Sequence, residues 1–293
     1  MDVLVCGARG FIGRHIVSAL QAHGHRVVRG VSARASVPAA DECRVDFVHD
    51  TEPAAWRSRV EEVDAVVNAV GVLRDTRLTP MRQLHTDASA ALFEACAEAG
   101  IRRVVHISAL GVDGGSTPYA RTKREADRRL LALNDGGRLD GVVLRPSIVY
   151  GPGGASAALF DALSRLPVLP LPGIMMRTKI QPVLVYDLAQ AVAQAVSQPQ
   201  VTGVVACVGS RPLTIAGFIA SLRAQRGHAP ARQVGIPDGI TRLSARLGDW
   251  LPITPWDSQT LALLAADNTA DAGPFQALLG HEPADPYRFV ASP

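Results

Sequence analysis

The chain reads as an α/β protein: a Rossmann-type doubly wound parallel sheet with a smaller, mostly helical C-terminal subdomain. Three observations lead there. Apolar runs without polar alternation recur between amphipathic segments, the pattern of strands buried on both faces. The first run leads straight into three glycines spaced three apart and then into a helical pattern. From residue 155 onward the alternation gives way to proline-rich connections and short helices.

Residues 3–6 make the first strand, Gly7-Ala8-Arg9-Gly10-Phe11-Ile12-Gly13 the turn, and Ile12, Ile16, Ala19 and Leu20 the apolar stripe of the first helix. Gly7 lets the chain turn, Gly10 leaves room for a phosphate against the backbone, and Gly13 lets helix and strand pack closely. A pyrophosphate can then sit on the unpaired N–H groups of the helix. Strand two covers about 26–31 and strand three about 44–48, and a short helix starts with Pro near its first position at Thr51-Glu-Pro53. Strand four, 64–68, ends in Asn68-Ala69-Val70-Gly71. A long Ala-rich helix opens at Thr79-Pro80, carries Leu84, Ala88, Ala91, Leu92, Ala95 and Ala99 on one face, and closes at Gly100. Strands five and six are 103–108 and 141–145. The expected division is a nucleotide-binding domain over 1–154, completed by a strand near 204–208, and a substrate or partner subdomain over 155–293.

Charge bears on which nucleotide is held. An NAD site needs a carboxylate about 20 residues past the glycines for the ribose hydroxyls, whereas a 2′-phosphate needs a cation. No Asp or Glu lies between Asp2 and Asp41, a window that holds Arg9, Arg29, Ser32 and Arg34. The expected cofactor is therefore NADP, with NAD possible. Asp46, near a strand end, is a candidate partner for the adenine amino group, and the turn of Asn68, Ala69, Val70 and Gly71 is small enough for a cofactor to lie against.

The second informative stretch runs from Ser108 to Lys123. Thr117-Pro118 is an N-cap followed by Pro at the first helical position, so Tyr119 enters the first turn and Lys123 lies on the same face. That face continues through Ala126, Leu130 and Leu133, which must pack on the sheet. A buried ammonium one turn from a phenol is costly as mere packing. It suits proton transfer to a carbonyl oxygen, with the ammonium and the helix end expected to pull the phenol below its usual value near 10. Tyr119 is the candidate acid–base, Lys123 also the ribose contact, and Ser108 the candidate holder of the substrate oxygen. Pro146, which ends strand six, is a candidate cofactor contact, and the turn Tyr150-Gly-Pro-Gly-Gly154 is expected to lie over the nicotinamide position.

The glycine motif, Asn68-Ala-Val-Gly71, Tyr119-Ala-Arg-Thr-Lys123, the run from Leu144 through Arg145-Pro146 to Gly151-Pro152, and Gln181-Pro182 through Asp187-Leu188 occur in that order. Together they resemble the short-chain dehydrogenase/reductase superfamily, in its extended and atypical NAD(P)-dependent epimerase/dehydratase-like branch. Asn68-Ala-Val-Gly-Val-Leu73, His106-Ile-Ser-Ala-Leu-Gly111 and the tail over 249–280 look most like bacterial relatives of the nucleotide-binding accessory subunit of respiratory complex I. The resemblance implies a Rossmann domain with bound NADP(H) or NAD(H) and a C-terminal substrate or partner domain. Active extended members usually end strand five in a Ser/Thr pair, with the tyrosine some two dozen residues on. Here Ala109 follows Ser108, and Tyr119 comes 11 positions after it.

Composition narrows the rest. A net charge of +3 and 5% aromatic content point away from nucleic acid. The scattered Cys6, Cys43, Cys96 and Cys207 read as buried thiols of a reducing, cytoplasmic setting, and the eight histidines show no metal-ligand spacing. The uncharged stretch 188–210 is broken by Gln190, Gln194, Gln198 and Pro199 into helix, turn and strand, so no transmembrane segment is expected. Further helices are expected over 215–226, 240–247, 258–266 and 274–279, with Trp250, Pro252, Pro255 and Trp256 as an aromatic knot. Three functions stay open: an NADP-dependent oxidoreductase on a small-molecule carbonyl or alcohol, an NADPH-binding assembly subunit, and a redox-sensing regulator that meets a protein partner. A homodimer is compatible with each.

Overall fold

The computed structural model describes residues 1–32, 39–250 and 258–290. Arg34, Pro252, Pro255 and Trp256 lie outside the described residues. The chain divides into two compact units: 1–146 with 185–207 and 273–281, and 147–184 with 208–272 and 282–293.

The first unit is built on a seven-stranded sheet. Its strands are β1 (Asp2–Cys6), β2 (Arg26–Ser32), β3 (Glu42–Val45), β4 (Ala65–Asn68), β5 (Arg103–Ile107), β6 (Val142–Pro146) and β7 (Gly203–Cys207). Their order across the sheet is β7-β6-β5-β4-β1-β2-β3, and every pair is parallel. The helices of seven residues or more are α1 (Phe11–Ala22), α2 (Ala88–Ala99), α3 (Pro118–Asp135), α4 (Val185–Ser197) and α5 (Gly273–Leu279). From β1 the chain steps one way to β2, and from β4 it steps the other way to β5. Right-handed crossovers therefore put the helices on opposite faces and open a crevice beyond the carboxyl ends of β1 and β4. Val3, Leu4, Val5, Val66, Val67, Val104 and Val143 are wholly buried, which is why these strands lack a polar face.

The sequence places strand three at 44–48, whereas the strand starts at Glu42 and stops at Val45. Asp46 turns the chain instead: its Oδ1 accepts the Val48 N–H at 3.1 Å, and its own N–H donates to Asp50 at 2.7 Å. The Ala-rich helix also begins differently, with a π-helical turn over Gln83–Asp87 ahead of α2.

The second unit has its own core. Tyr150, Phe160, Phe218 and Phe289 form an aromatic cluster, with the Tyr150 and Phe289 rings stacked at 5.5 Å. Three two-stranded pairings brace it: 149–150 with 183–184, 179–180 with 213–214, and 168–172 with 232–236. Its helix Asp238–Asp249 turns small residues inward, Thr241, Ala245 and Gly248, while Ile240, Leu243 and Leu247 are exposed, as is Trp250 at its C-cap.

Candidate nucleotide and proton-transfer site

Three strand ends of the first unit build the site. After β1, Gly7 sits at φ +80°, and its N–H donates to the Gly30 carbonyl at 3.2 Å. The Gly10 N–H donates back to the Gly7 carbonyl at 2.9 Å. A Cβ on Gly13 would stand 2.0 Å from the Gly7 oxygen, and one on Gly10 3.1 Å from it. A Cβ on Gly7 would meet the Ala69 carbonyl oxygen at 3.1 Å. The turn is therefore lined by backbone for want of room. Gly10, the N-cap of α1, has no side chain to fold over the helix end, and no acid lies in the first turn. Backbone donors and the positive helix end suit an anion, so a dinucleotide pyrophosphate fits this cradle. Ala8 is buried beneath the turn, while Phe11 and Ile12 begin α1 partly exposed, the Phe11 ring edge-on to His15 at 5.9 Å.

Beside it β4 ends in the turn of Ala69, Val70 and Gly71. Asn68 is fully buried; its amide donates to Ser89 Oγ at 2.9 Å, and its Oδ1 accepts the Val70 N–H at 3.1 Å. Both polar ends of Asn68 thus shape the turn. Ala69 follows the same path, donating to the Cys6 carbonyl at 3.0 Å.

The third end is β5 with α3 above it. Thr117 caps α3 by accepting the Ala120 N–H at 3.2 Å. Lys123 is buried, and its Nζ donates to the Ile107 carbonyl at 2.9 Å and the Val70 carbonyl at 3.1 Å, one oxygen from the end of each neighbouring strand. Burial lowers its pKa to about 8. Tyr119 is half-buried one turn earlier. Here the structure corrects the sequence expectation: loss of water around the phenol, helped by the Asp127 charge, raises its pKa to about 12. Tyr119 thus keeps its proton at ordinary pH.

Ser108 lies just beyond β5, buried, its hydroxyl donating to Asp127 Oδ2 at 2.9 Å. Asp127 sits one turn below Lys123 and also accepts Arg145 Nε at 2.9 Å, and Arg145 reaches on to Asp113 at 2.6 Å. Pro146 ends β6 with its carbonyl accepting the Leu110 N–H at 2.9 Å.

At the other edge the arginines are not free. Arg9 Nη2 pairs with Glu42 at 2.8 Å, and Arg29 Nη2 with Asp41 at 2.7 Å. The acid-free sequence window is closed in space because β3 pairs with β2, setting Glu42 opposite Arg29. Ser32 ends β2 exposed. Asp46 holds His49 Nδ1 at 2.9 Å and the Val48 N–H.

The structure therefore gathers Gly7, Gly10, Gly13, Ala69, Val70, Gly71 and Lys123 along adjoining strand ends, with Tyr119 one helical turn from Lys123. Sequence reasoning missed His85 and Asp127. His85 is fully buried: its Nε2 accepts the Val72 N–H at 2.9 Å, its Nδ1 lies 2.9 Å from Thr122 Oγ1, and its ring meets Tyr119 edge-on at 5.5 Å. Burial and the nearby Lys123 charge lower its pKa to about 3. The available signals were a histidine amid an apolar helix face and an acid four residues after Lys123.

Comparison with known proteins bears on the family and the fold. The "3-diazoavenalumate denitrifying reductase" of a Streptomyces species is 31% identical over 257 residues, 79% of this chain and 84% of that protein. The rat "NADH dehydrogenase [ubiquinone] 1 alpha subcomplex subunit 9, mitochondrial" is 24% identical over 211 residues, 68% of this chain and 54% of that protein. The crystal structure of the human epimerase family protein SDR39U1 with NADPH superposes at a TM-score of 0.72 with 18% identity, covering 98% of this chain and 96% of that one. The family model for the NAD dependent epimerase/dehydratase family matches residues 3–205, and the chain belongs to that family.

Proposed function

We propose that the protein is an NADP(H)-dependent oxidoreductase acting on a small or moderately apolar carbonyl or alcohol, with Tyr119 as proton donor and acceptor. The observation that carries this is Lys123, buried and clamped by the Val70 and Ile107 carbonyls one turn from Tyr119. The backbone of Gly7, Ala8, Arg9, Gly10, Phe11, Ile12 and Gly13 would seat the pyrophosphate, Ala69 to Gly71 would lie against the cofactor, and Lys123 would reach the nicotinamide ribose. When bound, the nicotinamide supplies or accepts a hydride at carbon. Tyr119, neutral because it is desolvated, gives its proton to the carbonyl oxygen or takes it back. Lys123, one helical turn from Tyr119, would supply the positive charge that favours the phenolate left after donation.

The NADP preference rests on Arg9 within the turn and Ser32 at the end of β2, where an NAD site needs an acid. A 2′-phosphate would take Arg9 from Glu42. The human structural neighbour was solved with NADPH. Buried Cys6, Cys96 and Cys207 support a reducing, cytoplasmic location, and no described helix is long and apolar enough to cross a membrane.

The test is to titrate purified protein with NADPH and NADH, then follow nicotinamide absorbance across a panel of ketones and aldehydes. The reading expects tighter NADPH binding, consumption with at least one apolar carbonyl, and a 10²- to 10⁴-fold loss of turnover in Tyr119→Phe with cofactor affinity kept, roughly the range for losing a general acid. NADPH retained unconsumed across the panel would overturn it.

A further inference from the structure

The buried imidazole of His85 takes no part in the chemistry proposed above, yet it touches both Tyr119 and the loop that holds Lys123. Its Nε2 accepts a backbone N–H, from Val72, so that nitrogen carries a lone pair. The proton of the neutral ring is then on Nδ1, which points at Thr122 Oγ1 at 2.9 Å. Thr122 Oγ1 in turn donates back along its own helix, lying 3.0 Å from the Pro118 carbonyl and 3.1 Å from that of Tyr119. The ring edge packs against Tyr119, and a Cβ placed on Gly71 would lie 3.7 Å from His85 Nε2 and 3.3 Å from Lys123 Nζ. His85 and Lys123 therefore both border the space that a side chain on this glycine would fill. The loop His85 grips at Val72 also contains Val70, whose carbonyl holds Lys123.

We propose that His85 is a positioning residue: a neutral, Nδ1-protonated imidazole that ties the loop after β4 to the first turn of α3, fixing Lys123 and Tyr119 relative to each other. A phenylalanine here would keep the ring and its edge contact but lose both polar links. A glutamine can accept the Val72 N–H and donate to Thr122. The strut rests on the roles given above to Tyr119 and Lys123, so its test needs one arm that does not depend on turnover.

That arm is nitrogen-15 NMR of the histidine rings of the whole protein, with His85 assigned by its loss in His85→Gln. His85 should be the neutral Nδ1–H tautomer, unchanged from pH 8 to pH 5. In kinetics, His85→Phe should lose about 10- to 100-fold in kcat, the scale of a misplacement of roughly 1 Å. NADPH affinity and substrate KM should move less than threefold, and His85→Gln should recover most of the loss. A His85 that titrates near pH 6.5, or sits as the Nε2–H tautomer, overturns the strut even if no substrate is found. Wild-type kcat in His85→Phe, or no recovery in His85→Gln, overturns it too. Absence of wild-type turnover with the expected tautomer present would sink only the oxidoreductase reading.

Discussion

Lys123 is one of two lysines among thirty basic residues, the other being Lys179. Where arginine is the chain's usual cation, a lysine between two carbonyl oxygens marks a place for a compact point charge that a guanidinium cannot fill. Lys123→Arg is therefore expected to lower turnover about as much as Lys123→Met, because a planar guanidinium cannot take the place of a compact ammonium held between the Ile107 and Val70 carbonyls at 2.9 and 3.1 Å. Wild-type rates in Lys123→Arg would mean that charge alone matters. The same residue sets a pH limit. Facing it are Asp127 on its own helix, His85, and His106 from β5, while Tyr119 lies one turn away and Arg145 from β6 is bonded to Asp127. With its pKa lowered to about 8, the ammonium is lost as pH rises past that value, and kcat should fall there. Stability moves the other way. The unfolded chain holds this proton up to about 10.4, so between 8 and 10.4 it binds more protons than the folded chain, and Lys123's contribution to stability rises with pH. A kcat profile flat from pH 7 to 9.5 would contradict the first half; urea midpoints of wild type against Lys123→Met across that range check the second. At the other edge of the site, Glu42→Gln should release Arg9 and tighten NADPH severalfold while leaving NADH unchanged, read by fluorescence titration. Equal effects on both would remove Arg9 from the discrimination.

Among the elements, the β1–turn–α1 unit tolerates least. The Cβ of Gly13→Ala would fall 2.0 Å from a backbone oxygen, so the helix must back away from the strand. Overpacking of this kind costs roughly 1–3 kcal/mol, and here it also opens the phosphate cradle. The expected result is a lower unfolding midpoint together with lost NADPH binding; loss of stability with wild-type affinity would show that the pyrophosphate lies elsewhere. This much was legible in the sequence, because only glycine permits such an approach and its spacing is a local property. Thr117, Pro118 and the Tyr119–Lys123 pairing were legible for the same reason: a cap and one helical turn are set within a few residues. What escaped was non-local. Arg9 and Arg29 look free in the sequence, yet parallel pairing of β2 with β3 brings Glu42 and Asp41 to them from beyond the acid-free window. Asp46 reads as a strand end, but its side chain outcompetes the ladder for the Val48 N–H. The lowered phenol pKa expected for Tyr119 failed similarly, since sequence shows an ammonium one turn away but not the burial and the Asp127 charge that raise it.

For the molecule as a whole, the order β7-β6-β5-β4-β1-β2-β3 explains why residues as distant as Gly7, Gly71 and Lys123 come together: β1, β4 and β5 are neighbours, Gly7 and Gly71 follow the carboxyl ends of the first two, and Lys123 reaches from α3 to the carbonyl that ends the third. Every residue assigned to nucleotide contact and proton transfer falls in the first unit, whereas the second is packed around its own aromatic cluster. A ligand that binds the native state alone stabilises what must unfold to release it, by about 2.7 kcal/mol at a hundredfold excess over Kd. Amides of β1, β4 and β5 should therefore exchange with solvent up to about a hundredfold more slowly with NADPH present. Those flanking Phe160 and Phe218 should keep their rates if each core opens independently. Hydrogen exchange read by mass spectrometry, with and without NADPH, separates the cases. Equal slowing in both units would show that they unfold as one cooperative body. Slowing confined to the second would place the nucleotide away from the glycine turn and refute the site itself.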